Sequence, residues 1–272
     1  MDSGTLYLVA TPIGNLEDIT FRALRILKDV DLIAAEDTRQ TLKLLNHFEI
    51  SKPLISYYRH NEEIRNEELL KKLRNGSNIA IVTDAGTPGI SDPGEKIVKV
   101  AIEKEINVVP IPGACAMINA LIASGLDTNE FCFYGFLPIN KKFRKEKFEE
   151  VGNEGKTVII YEAPHRLIGT LKEIEEKLGN RQIVVAKELT KIHESFYRGT
   201  VSDVLKMIKE PKGEYIVLIK GEKTEKKNDL SFLTLEQHYE FYEKQGYSKK
   251  EIIKKIAKDR NVSKNEIYQK FI

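Results

Sequence analysis

Hydrophobic and polar positions form alternating blocks along the first part of the chain. Apolar runs of strand length occupy residues 6–10, 32–35 and 79–81, and their continuous apolar character predicts strands that are buried on both faces. The segment 20–29 between the first two runs places its apolar residues three positions apart, on one face of a helix. Strands that alternate with helices are typical of a mostly parallel sheet covered on both sides. The pattern therefore predicts an α/β fold.

The alternation continues to about residue 220, which is enough chain for two domains. We expect an N-terminal α/β domain with a mostly parallel sheet at residues 1–116 and a C-terminal α/β domain at residues 117–222. In the second domain, buried strands are predicted at residues 131–136, 158–161, 183–186 and 215–219, and the last of them is expected to close the sheet.

Beyond residue 220 the composition changes. Residues 221–229 are polar and rich in Lys and Glu, which indicates a linker. Residues 230–272 have helical periodicity, and Ser248 and Ser263 are good N-caps for the last two helices. The turn at residues 260–262 and the lysines around it are typical of a helix-turn-helix that binds nucleic acid, whereas a helix pair that only docks on the body is the alternative.

The loop at residues 82–94, with the sequence VTDAGTPGISDPG, is longer than its connection requires. Strand-to-helix connections usually take about 2 to 6 residues. Asp92 is expected to cap the following helix, with Pro93 at its first position and Glu95 completing a capping box. Ligands bind outside the carboxyl ends of strands in α/β sheets, and the glycines of the loop let a ligand approach the backbone. The loop therefore predicts a ligand site, with a wide turn as the alternative.

Charged and hydrogen-bonding side chains follow other predicted strands as well. Glu36 and Asp37 end the second strand, where they either cap the next helix or belong to a site. Comparable groups are Tyr58, Arg59 and His60 after the third strand, His165 and Arg166 in the second domain, and Lys187 and Glu188 further along. We expect the strand ends of the two domains to face each other across a cleft.

Composition narrows the classes of function. The formal net charge of the 272 residues is +2, so a nucleic-acid surface must be local, as in the basic run at residues 141–147. Cys115 and Cys132 form no disulfide framework and have no metal-ligand spacing, which favours a reducing cytosol. The start of the chain lacks the features of a signal peptide, and no apolar run is long enough to span a membrane. We expect a cytoplasmic protein without a metal site.

Five motifs resemble, in order, the ribosomal RNA methyltransferases of the tetrapyrrole methylase superfamily. They occupy residues 8–20, 35–39, 84–94, 112–113 and 161–166. The resemblance covers residues 5–220, and the helical tail is similar to the C-terminal extension of that group. It implies two α/β domains with a cleft for S-adenosylmethionine (SAM) between them, and a homodimer. It also implies 2′-O-methylation of a cytidine in the decoding region of 16S ribosomal RNA, as bare RNA or in the small ribosomal subunit.

The long loop and the resemblance together predict where SAM binds. The expected contacts are Asp84, Ala85, Gly86, Thr87, Pro88, Ile90, Ser91, Pro112, Gly113, Ala114, Tyr161, Leu189 and Thr190. Relatives often place Ser where this chain has Cys115. Because a thiol is a poor hydrogen-bond partner, we expect the backbone to carry any contact there.

Catalysis requires a group that accepts the proton of the ribose 2′-OH. The candidates are Glu36, Asp37, Lys187 and Glu188, among which the sequence does not choose. RNA binding requires basic groups for phosphates and flat groups for bases. We assign it to Arg39, Tyr58, Arg59, His60, Lys141, Lys142, Arg144, His165 and Arg166.

Two other functions fit parts of the pattern. The same fold could carry a SAM-dependent C-methyltransferase that acts on a small tetrapyrrole, although that substrate needs a large apolar trough. Alternatively, the tail could bind nucleic acid while the body senses SAM. Against a sensor, many proton-handling groups are predicted to face one cleft.

Overall fold

The computed structural model describes residues 3–222, 230, 233–260 and 262–271. The chain divides into two compact units, Met1–Gly221 and Glu222–Ile272. Most of the predicted linker, residues 223–229, lies outside the described residues. The α/β class and the helical C-terminal part are confirmed, whereas the boundary between residues 116 and 117 stays a prediction.

The first sheet has the strand order β3-β2-β4-β1-β5, and all of these strands are parallel. Its strands are β1 (Thr5–Val9), β2 (Leu32–Ala35), β3 (Leu54–Ser56), β4 (Ile79–Val82) and β5 (Asn107–Ile111). The helices of this part are α1 (Phe21–Asp29), α2 (Thr38–His47), α3 (Glu62–Arg74), α4 (Glu95–Glu103) and α5 (Ala116–Ile122). The predicted parallel sheet is confirmed.

Helices cover both faces of this sheet. Ile33 and Ala35 of β2 pack with α1 and α2, through residues such as Leu27 and Leu45. Ala34 of the same strand packs on the opposite side, in the cluster that contains Leu69 of α3 and residues of α4. Successive side chains of a strand point to opposite faces, so β2 is buried along its whole length. This double burial explains why its sequence is continuously apolar.

The second sheet is mixed, with the order β6-β7-β10-β8-β9. It contains β6 (Phe131–Phe136), β7 (Thr157–Glu162), β8 (Gln182–Lys187), β9 (Ser195–Thr200) and β10 (Tyr215–Ile219), together with α6 (Lys141–Asn153), α7 (Pro164–Leu178) and α8 (Val201–Met207). The expectation that residues 215–219 close the sheet is wrong. Strand β10 lies in the middle, antiparallel to both β7 and β8, and it is buried along its whole length.

The predicted cap of α4 is also wrong. The helix begins at Glu95, its N-cap is Gly94 with φ 134°, and no side chain caps it. The Gly94 N–H instead donates to the buried carboxylate of Glu62 at 3.2 Å. A distant element therefore supplies the acceptor that local sequence reasoning assigned to Asp92. That aspartate is left within the loop.

The C-terminal unit contains α9 (Leu235–Glu243), α10 (Lys249–Asp259) and α11 (Lys264–Tyr268). The two predicted N-caps are confirmed, because the Ser248 N–H donates to Glu251 at 2.9 Å and the Ser263 hydroxyl accepts from the Glu266 N–H at 3.3 Å. Isoleucines and an alanine of α10 form its core with Ile267. Asn261, in the predicted turn, lies outside the described residues.

Candidate active site

A cavity of about 380 Å³ lies where the loop after β4 meets the strand ends of the second sheet. The loop contributes two stretches of the cavity wall, residues 85–87 and residues 90–92. Tyr161 of β7 and Leu189 after β8 form part of the opposite wall. This volume is within the usual range for small-molecule sites, which are mostly apolar with a few polar groups.

Hydrogen bonds from several elements hold the loop in place. Thr11 after β1 and Gly86 exchange two backbone hydrogen bonds, with N···O distances of 2.9 and 3.0 Å. The Thr87 hydroxyl donates to the Ala114 carbonyl at 3.2 Å. Gly86 has φ +81°, and a Cβ there would lie 3.2 Å from the side chain of Ile13. A residue other than Gly would therefore be strained and would crowd the cavity wall.

The predicted SAM contacts fall into two groups. The residues that line the cavity are Ala85, Gly86, Thr87, Ile90, Ser91, Tyr161 and Leu189. The other predicted residues, which are absent from this described lining, are Asp84, Pro88, Pro112, Gly113, Ala114 and Thr190. Ala114 acts through its carbonyl, which fixes Thr87. Cys115 does line the cavity, so the residue for which a backbone contact was expected belongs to this wall.

Three carboxylates, two at strand ends and one within the loop, gather here. Glu36 follows β2, Asp84 follows β4 and Asp92 lies on the cavity wall. Burial first, and the charge of Glu36 second, raise the pKa of Asp92 to about 6, while the Arg59 guanidinium opposes the rise and Asp84 adds to it. Burial likewise raises the pKa of Glu36. Arg59 is fixed by a hydrogen bond to the Ser91 carbonyl. The cluster can therefore hold cationic groups or accept a proton near neutral pH.

Asp37, which was predicted beside Glu36, is engaged differently. It is the N-cap of α2, and its carboxylate accepts from the Arg39 backbone N–H at 2.8 Å. The same carboxylate pairs with the Arg39 guanidinium at 2.6 Å. The Arg39 side-chain hydrogen bond is the main reason that the pKa of Asp37 falls to about 2. Such a carboxylate is a weak proton acceptor.

A second charged group surrounds Glu188. Its carboxylate accepts from Lys191 Nζ at 3.0 Å and from the Glu214 N–H at 2.9 Å, and Lys191 also pairs with Glu214 at 2.9 Å. Partial burial favours the neutral form of Glu188, but these hydrogen bonds and the charges of Lys191 and Lys187 leave its pKa below the usual value. Lys187 is half-buried at the end of β8.

A second cavity, of about 430 Å³, adjoins the first. The two cavities share Ile13, Ala85 and Glu214 as lining residues. The second is also lined by the loop after β1, by one face of α2 and by Asp84. The Asp37 N–H donates to the Asp84 carboxylate at 3.0 Å. On the other side, Lys191 donates to both Glu214 and Glu188 and so links these two carboxylates. The charged groups predicted from the two sheets therefore flank this second cavity.

The residues predicted to bind RNA differ in availability. Tyr58, Arg59 and His60 are exposed together after β3. Lys141, Lys142, His165 and Arg39 are exposed as well. By contrast, Arg144 is only 12% exposed and pairs with Glu173 at 2.6 Å. Arg166 donates to the Leu137 carbonyl at 2.7 Å and pairs with buried Glu162 at 3.3 Å. The last two guanidinium groups are therefore held inside the protein, whereas Arg39 and Arg59 stay exposed although Asp37 and the Ser91 carbonyl contact them.

Several cavity residues were missed by the sequence reasoning. Asp92 was interpreted only as a helix cap, although its place in the long loop was a signal. Phe136, at the end of β6, could have been found by the strand-end rule. Glu214 and Tyr215 could not, because they lie at the start of antiparallel β10. A strand must be known to run antiparallel before its first residues can be assigned to the cleft.

The described residues lack two kinds of feature. No group of three or more His, Cys, Asp or Glu side chains in this part of the chain could hold a metal ion. Within the same residues, no helix combines the length and apolarity that crossing a membrane requires.

Comparisons with known proteins place these features in context. A family model described as Tetrapyrrole (Corrin/Porphyrin) Methylases matches residues 5–205. The chain is 51% identical to Ribosomal RNA small subunit methyltransferase I of Halalkalibacterium halodurans, over 98% of this chain and 94% of that protein. It is 49% identical to the protein of the same name from Bacillus subtilis, over 99% of this chain and 94% of that protein.

A solved structure with the same fold is uroporphyrin-III C-methyl transferase from Thermus thermophilus, complexed with S-adenyl homocysteine. The TM-score is 0.56 at 17% sequence identity, and the match covers 82% of this chain and 99% of that chain. At this identity the likeness establishes the fold.

Proposed function

The chain belongs to the tetrapyrrole methylases, and we propose that it transfers a methyl group from SAM to the RNA of the small ribosomal subunit. The observation that carries the proposal is the cavity at the strand ends, with its wall of backbone and short side chains from the loop after β4. The names of its most similar relatives support the substrate. An S-adenyl homocysteine complex within the same fold supports the methyl donor.

The cavity residues suit SAM in size, surface and charge. A volume of about 380 Å³ falls within the range of cofactor sites. Gly86 leaves the space that a Cβ would fill, so that a ligand can lie against the backbone. Ile90, Tyr161 and Leu189 provide apolar walls for a nucleoside and its thioether carbons. Asp92, once ionised, favours a cationic ligand.

When bound, SAM supplies a methyl group that its sulfonium leaving group has already activated. The remaining task of the chain is to orient a ribose 2′-oxygen toward that carbon and to take its proton. The new O–C bond then forms as the S–C bond breaks, and the proton passes to the protein. Alignment in a site of this kind contributes more than any single acid or base.

Among the four predicted proton acceptors, we assign this role to Glu36. Its carboxylate is partly buried and its pKa is raised, which makes it a better base near neutral pH. Asp37 is held ionised by Arg39, and the hydrogen bonds of Glu188 are taken by Lys191 and Glu214. Asp37 and Glu188 therefore hold neighbouring groups of the protein in place, and Lys187 adds positive charge on the other side of the cleft.

The finer identity of the product is part of the same proposal: a cytidine 2′-O-methyl group in the decoding region of 16S ribosomal RNA. The support is the resemblance of the five motifs and the match of almost the whole chain to the relatives. Tyr58, Arg59 and His60 are exposed beside the acidic cluster, where they can contact RNA that covers the cleft. A cytoplasmic location follows from such a substrate.

A homodimer is also part of the proposal. Its support, besides the resemblance, is the apolar surface at the end of β6 and just after it, where Phe136 is 56% exposed, Ile139 84% and Phe143 56%. Exposed apolar groups this close in sequence commonly mark an interface. Light scattering at micromolar concentration should give twice the mass of 31.1 kDa.

The direct test incubates the purified protein with labelled SAM and small ribosomal subunits from a strain that lacks the corresponding methyltransferase. We expect label in a 2′-O-methylcytidine, identified by nuclease digestion and mass spectrometry. Bare 16S RNA and a porphyrin precursor serve as parallel substrates. Label in the porphyrin alone, or in a base instead of a ribose, would contradict the proposal.

A further inference from the structure

We propose that the second cavity, beside the SAM cavity, is the pocket for a single nucleotide turned out of the RNA, and that Gln40 and Lys43 of α2 recognise that nucleotide. This inference rests on the proposed function. A nucleotide within folded RNA is shielded by stacking and pairing, so an enzyme that modifies it gains by extruding it into a pocket. A volume of about 430 Å³ can hold one nucleotide.

The position of the cavity supports an acceptor site. Ile13, Ala85 and Glu214 line both cavities, so the two cavities adjoin each other at these three residues. A methyl donor and its acceptor must approach within about 3 to 3.5 Å before reaction. The second cavity is therefore where an acceptor can sit while the first is filled. Asp84, next to the proposed base Glu36, is part of its lining.

The lining of the second cavity matches the parts of a nucleotide. Gln40 and Lys43 lie on the same face of α2, and Lys43 Nζ donates to the Gln40 carbonyl oxygen at 3.2 Å. That contact orients the amide, whose NH₂ donates no hydrogen bond to any described residue and is free for a base edge. Lys43 provides a charge for a phosphate. Leu16 and Leu44 supply apolar surface against which a base can pack.

The test uses steady-state methylation of small ribosomal subunits with saturating SAM. Gln40→Ala and Lys43→Ala should each raise KM for the subunits about tenfold, because each removes one contact to the nucleotide. The affinity for SAM, measured by calorimetry, should not change, and this measurement also shows that the first cavity remains intact. Both side chains are exposed, so neither substitution should unfold the protein.

Matched controls are available in the same chain. Asn46→Ala removes an exposed amide from α2 away from the cavity, and Lys99→Ala removes an exposed charge from α4. Neither should alter KM. If the four variants had equal KM values, or if Gln40→Ala weakened SAM binding instead, the pocket assignment would be wrong while the proposed function stood. If the wild-type protein did not methylate the subunits, both would be wrong.

Discussion

The Asp84 backbone N–H points to the Glu36 carboxylate at a distance of 3.4 Å. This contact links the ends of β2 and β4. The Glu36 carboxylate is thereby partly buried near the carboxylates of Asp84 and Asp92. The pKa of Glu36 is raised because burial outweighs the Asp84 hydrogen bond. We predict that Glu36→Gln, which keeps the shape and the ability to accept that hydrogen bond, lowers kcat by about 10²-fold. SAM affinity should change little.

Asp37→Asn is the matched control for this prediction. Asparagine also caps helices, but it loses the ion pair with Arg39. The melting temperature should fall slightly while kcat stays within a few fold of the wild type. Single-turnover methylation of subunits measures the chemical step in both variants. A large loss in Asp37→Asn with normal turnover in Glu36→Gln would transfer the role of base to Asp37.

Local sequence was sufficient for much of the first domain. The continuous apolar runs identified β1, β2 and β4 because each packs on both faces of one parallel sheet, and β2 and β4 are buried along their whole length. The glycine-rich loop identified a cavity wall because its length exceeded what a turn needs. These features depend on residues close together in sequence, so a pattern reveals them.

Long-range contacts account for what could not be predicted. Gly94 is held by Glu62 from α3, and no local signal distinguishes that bond from a cap by Asp92. Strand β10 enters the middle of its sheet antiparallel to its neighbours, which places Glu214 at the cleft. Arg144 and Arg166 were counted as RNA contacts from charge alone, whereas Glu173 of α7 pairs with Arg144 and the distant Leu137 carbonyl accepts from Arg166.

Gly86 offers a direct test of the SAM site. Its φ of +81°, and the 3.2 Å that would separate an added Cβ from the Ile13 side chain, combine strain with crowding. We predict that Gly86→Ala raises Kd for SAM about tenfold, a loss of about 1.4 kcal/mol. Gly125 has a similar φ of +79° with nothing within 4 Å of its Cβ position. Gly125→Ala should therefore cost comparable stability, about 1 kcal/mol, without affecting SAM.

Calorimetric titration of the two variants beside the wild type provides the measurement, with thermal melts as the check on folding. Equal SAM affinities for Gly86→Ala and Gly125→Ala would mean that the loop wall does not contact the donor.

Asp92 should make SAM binding depend on pH. Its pKa is raised to about 6, chiefly by burial and by Glu36, with Asp84 and Arg59 as the other charged neighbours and Tyr161 on the facing wall. A carboxyl group loses its charge as the pH falls below its pKa, so the attraction for a cationic donor weakens. At pH 5 only about one tenth of Asp92 is ionised, and the apparent Kd should be about tenfold higher than at pH 7.

Asp92→Asn should have a high Kd that changes little between pH 5 and pH 7. Without SAM, Asp92→Asn should also melt at a higher temperature than the wild type at pH 7. The variant lacks a carboxylate whose ionised form is disfavoured by burial and by acidic neighbours. Titrations at several pH values in the same ionic strength separate this effect from screening. A wild-type Kd that is constant across the range would show that Asp92 does not face the donor.

The last prediction concerns the C-terminal unit, where Lys250, Lys254 and Lys258 follow one another at intervals of four along α10. All three are exposed, and the opposite face of the helix is buried through Ile252, Ile253 and Ile256. Spacing by four places side chains on one face of a helix. Within the part of the chain that the structure describes, none of the three forms an ion pair, so the stripe is available for phosphates.

Replacing the three stripe lysines with Gln should weaken binding to small ribosomal subunits and reduce the slope of log K against log salt by about 2 to 3, since each phosphate contact contributes a slope of about 0.7 to 0.9. The control replaces Lys28, Lys72 and Lys99, which are also exposed and lie outside this unit. It removes the same net charge, so it corrects for the general field of the protein. Binding measured by filtration across a salt series distinguishes the two triple variants.

If both triple variants shifted the slope equally, long-range charge would account for the effect and α10 would have no direct contact with RNA. A smaller slope in the stripe variant alone, with unchanged SAM affinity, is the result expected of a helix that holds the RNA backbone while the cleft carries out the chemistry.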